Sequence, residues 1–307
     1  QLIDLTDYPE SMNGEYLADA WAEAYYQNPL IMGISDARIA KDGKSLLLFY
    51  EDDEATRESK KAQISAKVTE VVAEIIDDDM SLREREYAIN DYLCATAAYD
   101  DAALENAALY NYESVDAKFN DSFTAYGVLI NNVGVCSSYA AAFKLLADAS
   151  GLECVVVTGT LDGTLAHAWN RVALENNQWA TVDSTNNDTE IMVNALLNAP
   201  DYAIATTLVE DYSWIMDDVK ANYSNSSDAD EFYHVQGLFF DKDTVTARII
   251  EQLNAGEIAV VRTDYMLTDL QFYDIAMELI EATGNENLGG GYWMGVIVVA
   301  NDPSLLV

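Results

Sequence analysis

The stretch from Gly134 to Asp183 constrains the fold more than any other part of this 307-residue chain. A loop punctuated by glycines leads into a helical pattern that begins at Cys136 and ends near Gly151, where glycine is a favoured C-terminal cap. Three apolar runs follow this helix and predict strands at about 153–159, 167–174 and 178–183. A helix followed at once by an antiparallel sheet predicts an α+β domain in which the helix packs on the sheet.

Regular elements are also predicted upstream of this stretch. A segment rich in Ala and Tyr predicts a helix at 15–28, and Asp42-Gly43 predicts the turn of a β-hairpin. An apolar stripe at helical spacing predicts a helix over 54–76. Ser81 and Glu84 form a capping box, which predicts that another helix starts there and runs to about residue 97.

The rest of the chain alternates between polar and apolar segments. The tyrosine-rich segment 99–123 predicts loops with short turns, and after the third strand we expect two helical stretches broken by the polar run 222–230. Further helices and strands are predicted at 243–254, 257–262, 268–282 and 293–300. We therefore expect three units: an N-terminal helix and hairpin extension, a core and a C-terminal α/β subdomain, at 1–60, 61–235 and 236–307.

The charge is lopsided, with 53 acidic residues against 16 basic residues and a net charge of −37. Such a surface repels nucleic acid and anionic membranes, which bind basic patches, and it tolerates or attracts cationic partners such as lysine-rich peptides. The better-supported interpretation is that the acidity keeps a secreted protein soluble. No apolar run reaches the ~18 residues of a spanning helix, so we expect no membrane insertion. The acidic clusters at 51–54 and 77–79 lack the central glycine and terminal Glu of a calcium loop. We expect neither a metal nor a cofactor.

Three residues between Gly134 and Asp183 can perform nucleophilic chemistry together. Cys136 stands at a helix start, His167 opens the second strand and Asp183 ends the third. Free N–H groups at a helix start and a neighbouring imidazolium both favour the thiolate, the nucleophilic form of a cysteine. The hairpin register predicts that His167 and Asp183 lie within about three residues of each other across the strands. The carboxylate can then orient the ring towards the thiol.

Each of these residues also has a structural interpretation, because a single Cys or His is usually part of the core. Their order and local contexts favour the catalytic hypothesis. For an oxyanion hole, the candidate donors are the backbone N–H of Cys136 and the hydroxyl of Tyr126. The second histidine, His234, is interpreted as structural.

The other two cysteines, Cys94 and Cys154, lie in apolar surroundings and are interpreted as small buried hydrophobic residues. A disulfide between them is the open alternative, although their spacing carries no framework signature. The sequence has no Cys-x-x-Cys, which argues against a thiol-redox protein.

The same residues resemble a known family. The block Gly134-Val135-Cys136-Ser137-Ser138 is similar to the nucleophile segment of the transglutaminase-like superfamily. His167-Ala168-Trp169-Asn170 and Val182-Asp183-Ser184-Thr185 resemble its histidine and aspartate segments, and Tyr99-Asp100 is similar to a motif that precedes the core in bacterial secreted members. The resemblance covers roughly residues 60–190 and implies a papain-like fold with Cys136, His167 and Asp183 as the triad.

Three positions depart from the family pattern. Ser138 stands where members usually carry Gly, Ser184 where they carry Pro, and Asn186 where they carry Trp. These changes affect the expected shape of the substrate subsites rather than the triad.

The resemblance implies a thiol enzyme that transfers acyl groups from peptide or protein amides. The acyl-enzyme passes to water in a peptidase or amidase, and to an amine in a cross-linking enzyme. Bacterial members are frequently hydrolases, which favours hydrolysis. The rival hypothesis is a noncatalytic cell-surface module that binds peptides or wall components through the same cleft.

The start of the chain shows neither an initiator Met nor a signal peptide. We therefore expect the mature part of a longer bacterial protein that is secreted or attached to the cell surface. Its expected partners are peptides or proteins, including cell-wall and surface proteins.

Overall fold

The computed structural model describes residues 1–41, 43–175, 179–211 and 227–306. Helices and antiparallel sheets occupy mostly separate stretches of the chain, so the predicted α+β class is confirmed. Within these ranges no helix combines the length and the apolar composition needed to span a bilayer.

The N-terminal residues form a small sheet and a helix. The sheet has the order β1-β3-β2 and is antiparallel throughout. Its strands and the helix have the bounds β1 (Leu2–Asp4), α1 (Gly14–Gln27), β2 (Ile34–Ile39) and β3 (Ser45–Tyr50). The predicted helix and hairpin are confirmed. Of the predicted turn, Asp42 lies outside the described residues, and Gly43 has a φ of +67°, which favours glycine.

Two long helices follow, α2 (Glu54–Ile75) and α3 (Leu82–Thr96), as predicted. Helix α2 buries the stripe of Ile64, Val68 and Val71, because these residues recur on one face at helical spacing. Helix α3 starts with the predicted capping box, in which Ser81 and Glu84 satisfy each other's backbone amides.

The prediction for residues 99–123 was wrong in part. The segment around it forms the strand β4 (Ala98–Tyr99), the helix α4 (Asp101–Leu109) and a 3₁₀ turn at Ala117–Phe123. The side chain of Asp100 caps α4 by accepting from the Ala103 amide. This helix buries only small side chains, Ala103 and Ala107, and therefore shows no stripe of large apolar residues in the sequence.

The core is one helix against one sheet. Strand β5 (Val133–Gly134) pairs in parallel with β4 and leads into α5 (Cys136–Ala149). The sheet has the order β10-β6-β7-β8-β9, and each pair in it is antiparallel. Its strands are β6 (Cys154–Leu161), β7 (Leu165–Ala173), β8 (Trp179–Val182), β9 (Leu197–Ala199) and β10 (Leu208–Glu210). Helix α5 buries Tyr139, Phe143 and Leu146 in the largest hydrophobic cluster.

Strands β6, β7 and β8 confirm the three predicted strands. The chain between the second and third of these strands falls largely outside the described residues. Of the two helical stretches expected after β8 and the polar run between them, residues 212–226 lie outside the described residues. In the part that the structure describes, the chain adds the short edge strands β9 and β10 and short helices. These helices are α6 (Ser184–Asn187), α7 (Asp201–Ile204) and α8 (Phe232–Val235). Three-residue edge strands are defined by backbone pairing, which leaves little alternation in the sequence.

One part of β6 is paired by a side chain instead of a strand. Strand β10 pairs with β6 only from Gly159 to Leu161. At Val156, the Gln27 amide donates to the backbone carbonyl at 2.8 Å and accepts from the backbone N–H at 3.0 Å. Helix α1 is thereby held against the edge of the core sheet.

The C-terminal residues form a second sheet with two helices. The order is β11-β12-β14-β13, and the first pair is parallel. The elements are β11 (Phe239–Phe240), α9 (Val245–Asn254), β12 (Ala259–Thr263), α10 (Asp269–Thr283), β13 (Gly289–Trp293) and β14 (Val296–Ala300). The prediction of a single strand over 293–300 was wrong. Met294 and Gly295 form a turn with positive φ, and residues 289–293 form a separate strand that pairs with β14.

A buried ion pair joins the C-terminal sheet to the core. Arg262 on β12 contacts Glu231 at 2.8 Å, and both side chains are fully buried. The same guanidinium donates to the carbonyls of Ala195 and Met294. Glu231 in turn caps α8 by accepting from the His234 amide. One cation therefore connects three segments on both sides of the predicted boundary at residue 236.

Replacing Arg262 with Met should lower the free energy of unfolding by about 3–5 kcal/mol, because Glu231 would remain buried without its cation. Urea denaturation measures this loss. The matched control is Arg248→Met, which removes an exposed i,i+3 pair with Glu251 and should cost less than about 1 kcal/mol. Equal losses for the two variants would contradict the prediction.

Candidate active site

Cys136 is the first residue of α5, and the preceding loop is shaped to hold it there. Gly134 lies so close to the first turn of α5 that a Cβ at this position would come within 2.6 Å of the Ser138 side chain. The Ser138 hydroxyl accepts from the Val128 amide at 3.0 Å and donates to the Thr124 carbonyl. Ser138, which replaces the usual Gly of the family, thus ties the nucleophile helix to the loop before it.

His167 and Asp183 form a direct contact. His167 lies on β7, and Asp183 is the residue after β8, one position beyond the last ladder pair, Asn170 with Val182. The His167 Nε2 is 2.7 Å from the Asp183 Oδ2, and both side chains are buried. The Trp169 ring stacks beside the imidazole with centroids 5.9 Å apart.

The electrostatic balance favours the charged form of the ring. Burial lowers the pKa of His167, but the charge and hydrogen bond of Asp183 outweigh this effect, and a hydrogen bond with the Cys136 thiol adds to the rise. The pKa of His167 is raised to about 10. Since Nε2 is bound to Asp183, Nδ1 is the ring nitrogen that faces the thiol.

The structure thus brings the three sequence-predicted residues, Cys136, His167 and Asp183, into one contiguous chain of contacts. Cys136 is partly exposed, so a substrate can reach the sulfur, whereas the acid and the ring are shielded. A cysteine at a helix start next to a charged imidazole is an arrangement suited to nucleophilic attack on a carbonyl.

Two further departures from the family pattern make polar contacts, Asn186 with the acid itself and Ser184 with a neighbouring helix. The Asn186 side-chain amide donates to the Asp183 Oδ2 at 2.7 Å. The Ser184 hydroxyl donates to the Asn90 Oδ1 at 3.0 Å, and Asn187 donates to the same oxygen at 2.9 Å. The turn that carries Asp183 is therefore fixed to α3 by buried hydrogen bonds.

Tyr99 is a site residue that the sequence reasoning missed. It lies on β4 directly opposite Gly134, and its hydroxyl is close to the Cys136 backbone N–H and thiol. Burial, followed by the charge of the nearby thiol, raises the pKa of Tyr99, so the hydroxyl stays protonated. The signal in the sequence was the Tyr99-Asp100 motif, which gives the residue but not its distance from Cys136.

The oxyanion role expected for Tyr126 finds no support in its contacts. The Tyr126 hydroxyl donates to the Gln63 Oε1 at 3.0 Å on α2, and Lys60 lies over its ring. The other oxyanion candidate, the Cys136 backbone N–H, is at the start of α5, where first-turn amides have no helical partner.

The remaining cysteines and histidine are separate from this chain of contacts. Cys94 and Cys154 are free thiols, so the alternative of a disulfide is excluded. Burial raises the pKa of Cys94 to about 12 and raises that of Cys154 as well. His234 is half exposed, stacks on Phe239 and lies 3.7 Å from Asp228. Across the described ranges, no group of three or more His, Cys, Asp or Glu side chains is arranged to hold a metal ion.

Part of the chain is similar to known proteins. Residues 69–184 match the model of the transglutaminase-like superfamily. This part of the chain, 116 of its 307 residues, is therefore similar to the transglutaminase-like superfamily. Its described relatives include kyphoscoliosis peptidase from Mus musculus, 27% identical over 141 residues, and the Homo sapiens protein, 28% identical over 137 residues. The two alignments cover 42% and 40% of this chain but only 20% and 19% of those proteins.

A solved structure described as a TGase is also similar, with a TM-score of 0.36 and 16% identity. The alignment covers 52% of this chain and 46% of that chain. The match to the family model includes Cys136, His167 and Asp183. It begins inside α2 and ends at Ser184, so the N-terminal sheet and the C-terminal sheet lie outside it.

The ring charge predicts a pH dependence of stability. The folded chain holds the His167 proton up to about pH 10, whereas an unfolded histidine releases it near ~6.5. The stabilisation is complete below pH ~6.5 and is lost as the pH rises to about 10, with a slope of up to about 1.4 kcal/mol per pH unit. Urea denaturation across this range should show the gap between wild type and His167→Gln shrinking. The exposed His234→Gln is the control, and parallel curves for wild type and His167→Gln would contradict the assignment.

Proposed function

We propose that this protein is a cysteine peptidase or amidase that cleaves peptide or protein amides through Cys136, His167 and Asp183. The observation that carries the proposal is the continuous contact from Asp183 through the His167 ring to the Cys136 thiol. The partial exposure of Cys136, in contrast to buried Cys154, supports its role as nucleophile.

In the proposed reaction the Cys136 sulfur bonds to the amide carbonyl carbon, and the carbonyl oxygen gains a negative charge. This oxyanion is stabilised by the Cys136 backbone N–H and the Tyr99 O–H. His167 then gives its proton to the leaving nitrogen as the C–N bond breaks. Water attacks the thioester, His167 takes a proton from it, and the acid product leaves as the Cys136 sulfur is released. Asp183 keeps the ring oriented during both steps and stabilises its charged form before the proton leaves and after it returns.

The same thioester could pass to an amine, which would give a cross-linking enzyme. We propose hydrolysis because the bacterial proteins that the sequence resembles are frequently hydrolases. The expected substrates are peptides or proteins at the cell surface, in line with a net charge of −37 that disfavours nucleic acid. A noncatalytic peptide-binding module is the second candidate, and the departures at Ser184 and Asn186 are the observation that favours it.

Iodoacetamide at about pH 6 separates a poised thiolate from ordinary thiols. We expect selective alkylation of Cys136, because burial raises the pKa of both Cys94 and Cys154 and keeps them as thiols. Peptide mass mapping measures the labelling, and His167→Ala should label at least tenfold more slowly at Cys136. Slow and equal labelling of all three cysteines would support the binding module instead.

Turnover of a peptide library tests the reaction itself. Wild type should release new amino termini, Cys136→Ala should release none, and Tyr99→Phe should lower kcat by about 10²–10³ through loss of one oxyanion donor. Tyr126→Phe is the matched control and should retain wild-type turnover, because its hydroxyl contacts Gln63. Incorporation of a labelled amine without hydrolysis would instead assign cross-linking.

A further inference from the structure

A cavity of about 260 Å³ lies between the N-terminal hairpin and the segment 112–124. Its walls carry three aromatic rings, those of Tyr25, Tyr112 and Phe123, and its rim carries two carboxylates, Glu51 and Glu113. No Lys, Arg or His belongs to the described residues that line it. The cavity is large enough for one long side chain of a bound peptide.

The cavity is connected to the first turn of the nucleophile helix. Phe123 and Thr124 line it, and their carbonyls accept hydrogen bonds from the hydroxyls of Ser137 and Ser138. A smaller cavity shares Tyr25, Phe123 and Thr124 with it and reaches Ser137, the residue after the nucleophile. Shared lining residues therefore link this cavity to the first turn of α5, next to Cys136.

Tyr26 stands between the smaller cavity and the thiol. It lines that cavity and packs with Cys136 against Ala140 and Val156. Burial raises the pKa of Tyr26, and the neighbouring Tyr25, the Cys136 thiol and the charge of Asp211 raise it further. The same helix, α1, thus contributes Tyr25 to the cavity wall and Tyr26 to the surroundings of the nucleophile.

We infer that this cavity binds a lysine or arginine side chain of the peptide substrate, an inference that rests on the proposed function of the same cleft. Aromatic faces attract an ammonium or guanidinium, and carboxylates at the rim supply the counter-charge. The structure records no salt bridge for Glu51 or Glu113 with any residue it describes, so both carboxylates are available to a ligand.

Three of the cations near Glu51 or Glu113 along the chain contact other residues. Lys118, which follows Glu113 by five residues, lies 4.4 Å from the centroid of the Phe119 ring. Lys60 contacts Asp52 and Asp121, each at 2.7 Å. Arg57 lies 3.6 Å from the centroid of the Tyr50 ring and donates to the Asp52 carbonyl. None of these recorded contacts involves Glu51 or Glu113, and the net charge of −37 disfavours an anionic ligand further.

Peptide binding to the Cys136→Ala variant tests the inference without requiring turnover. The probes are fluorescein-labelled alanine hexapeptides in which one residue, Lys or norleucine, is moved through every position, and anisotropy gives the Kd. At one position, Lys should bind about tenfold more tightly than norleucine, in keeping with one cation–π contact and two partly exposed ion pairs. The preference should shrink at about 0.5 M NaCl, where such charges are screened.

The double variant Glu51→Gln with Glu113→Gln, on the same Cys136→Ala background, should lose the preference for Lys. Glu281→Gln, an exposed acid on α10, is the matched control and should keep it. Circular dichroism checks that each variant is folded. Equal binding of Lys and norleucine at every position, or a preference that survives in the double variant, would overturn the inference. So would equally tight binding of free cadaverine, which would indicate a site for small amines.

The outcome is separable from that of the proposed function. A Lys preference at the carboxylates without any Cys136-dependent turnover would retain the cavity assignment and reject the peptidase. Turnover of library peptides with no dependence on Lys or Arg would retain the peptidase and reject the cavity assignment.

Discussion

The buried contact between His167 and Asp183 is the interaction on which the rest of the site depends. Removing a carboxylate and an imidazolium from water costs several kcal/mol per ion, and a single ion pair repays this only with good geometry and further hydrogen bonds. Here the pair is 2.7 Å long, and Asp183 accepts in addition from the backbone and side-chain amides of Asn186. The charged ring is therefore stable where a solvent-exposed ring would be neutral.

This requirement explains the polar residues beneath the site. The Asn90 side chain accepts from Ser184 and Asn187 and donates to Asn194, so α3 and the turn after β8 share one buried network. A buried network in which each member has a partner fixes geometry more tightly than apolar contacts, which tolerate sliding. The buried ion pair of Arg262 with Glu231 likewise fixes the position of the C-terminal sheet against the core. The core sheet and its neighbours are held together by charges and amides as well as by apolar area.

Much of this arrangement follows from the sequence, and the exceptions have physical reasons. Helices α2 and α5 were predicted because large apolar residues recur at helical spacing, and α3 because Ser81 and Glu84 form a capping box. The strands of the core were predicted because their apolar runs are short and bounded. Helix α4 was missed because its buried face is alanine, and β13 because three glycines resemble a break. Tyr99 was missed as a neighbour of Cys136, since a two-residue parallel bridge joins positions far apart in the chain. The His167 and Asp183 pairing was predictable because a hairpin fixes its own register.

The side-chain amide of Gln27 has a consequence for how the protein behaves at high concentration. A strand with open N–H and C=O groups recruits strands of other molecules, which is a common route to aggregation. Val156 lies on the part of β6 that does not pair with β10. The Gln27 side-chain amide forms hydrogen bonds with both the backbone N–H and the backbone C=O of Val156. Truncation of the chain before residue 28 would remove this cover and leave the edge open to strands of other molecules.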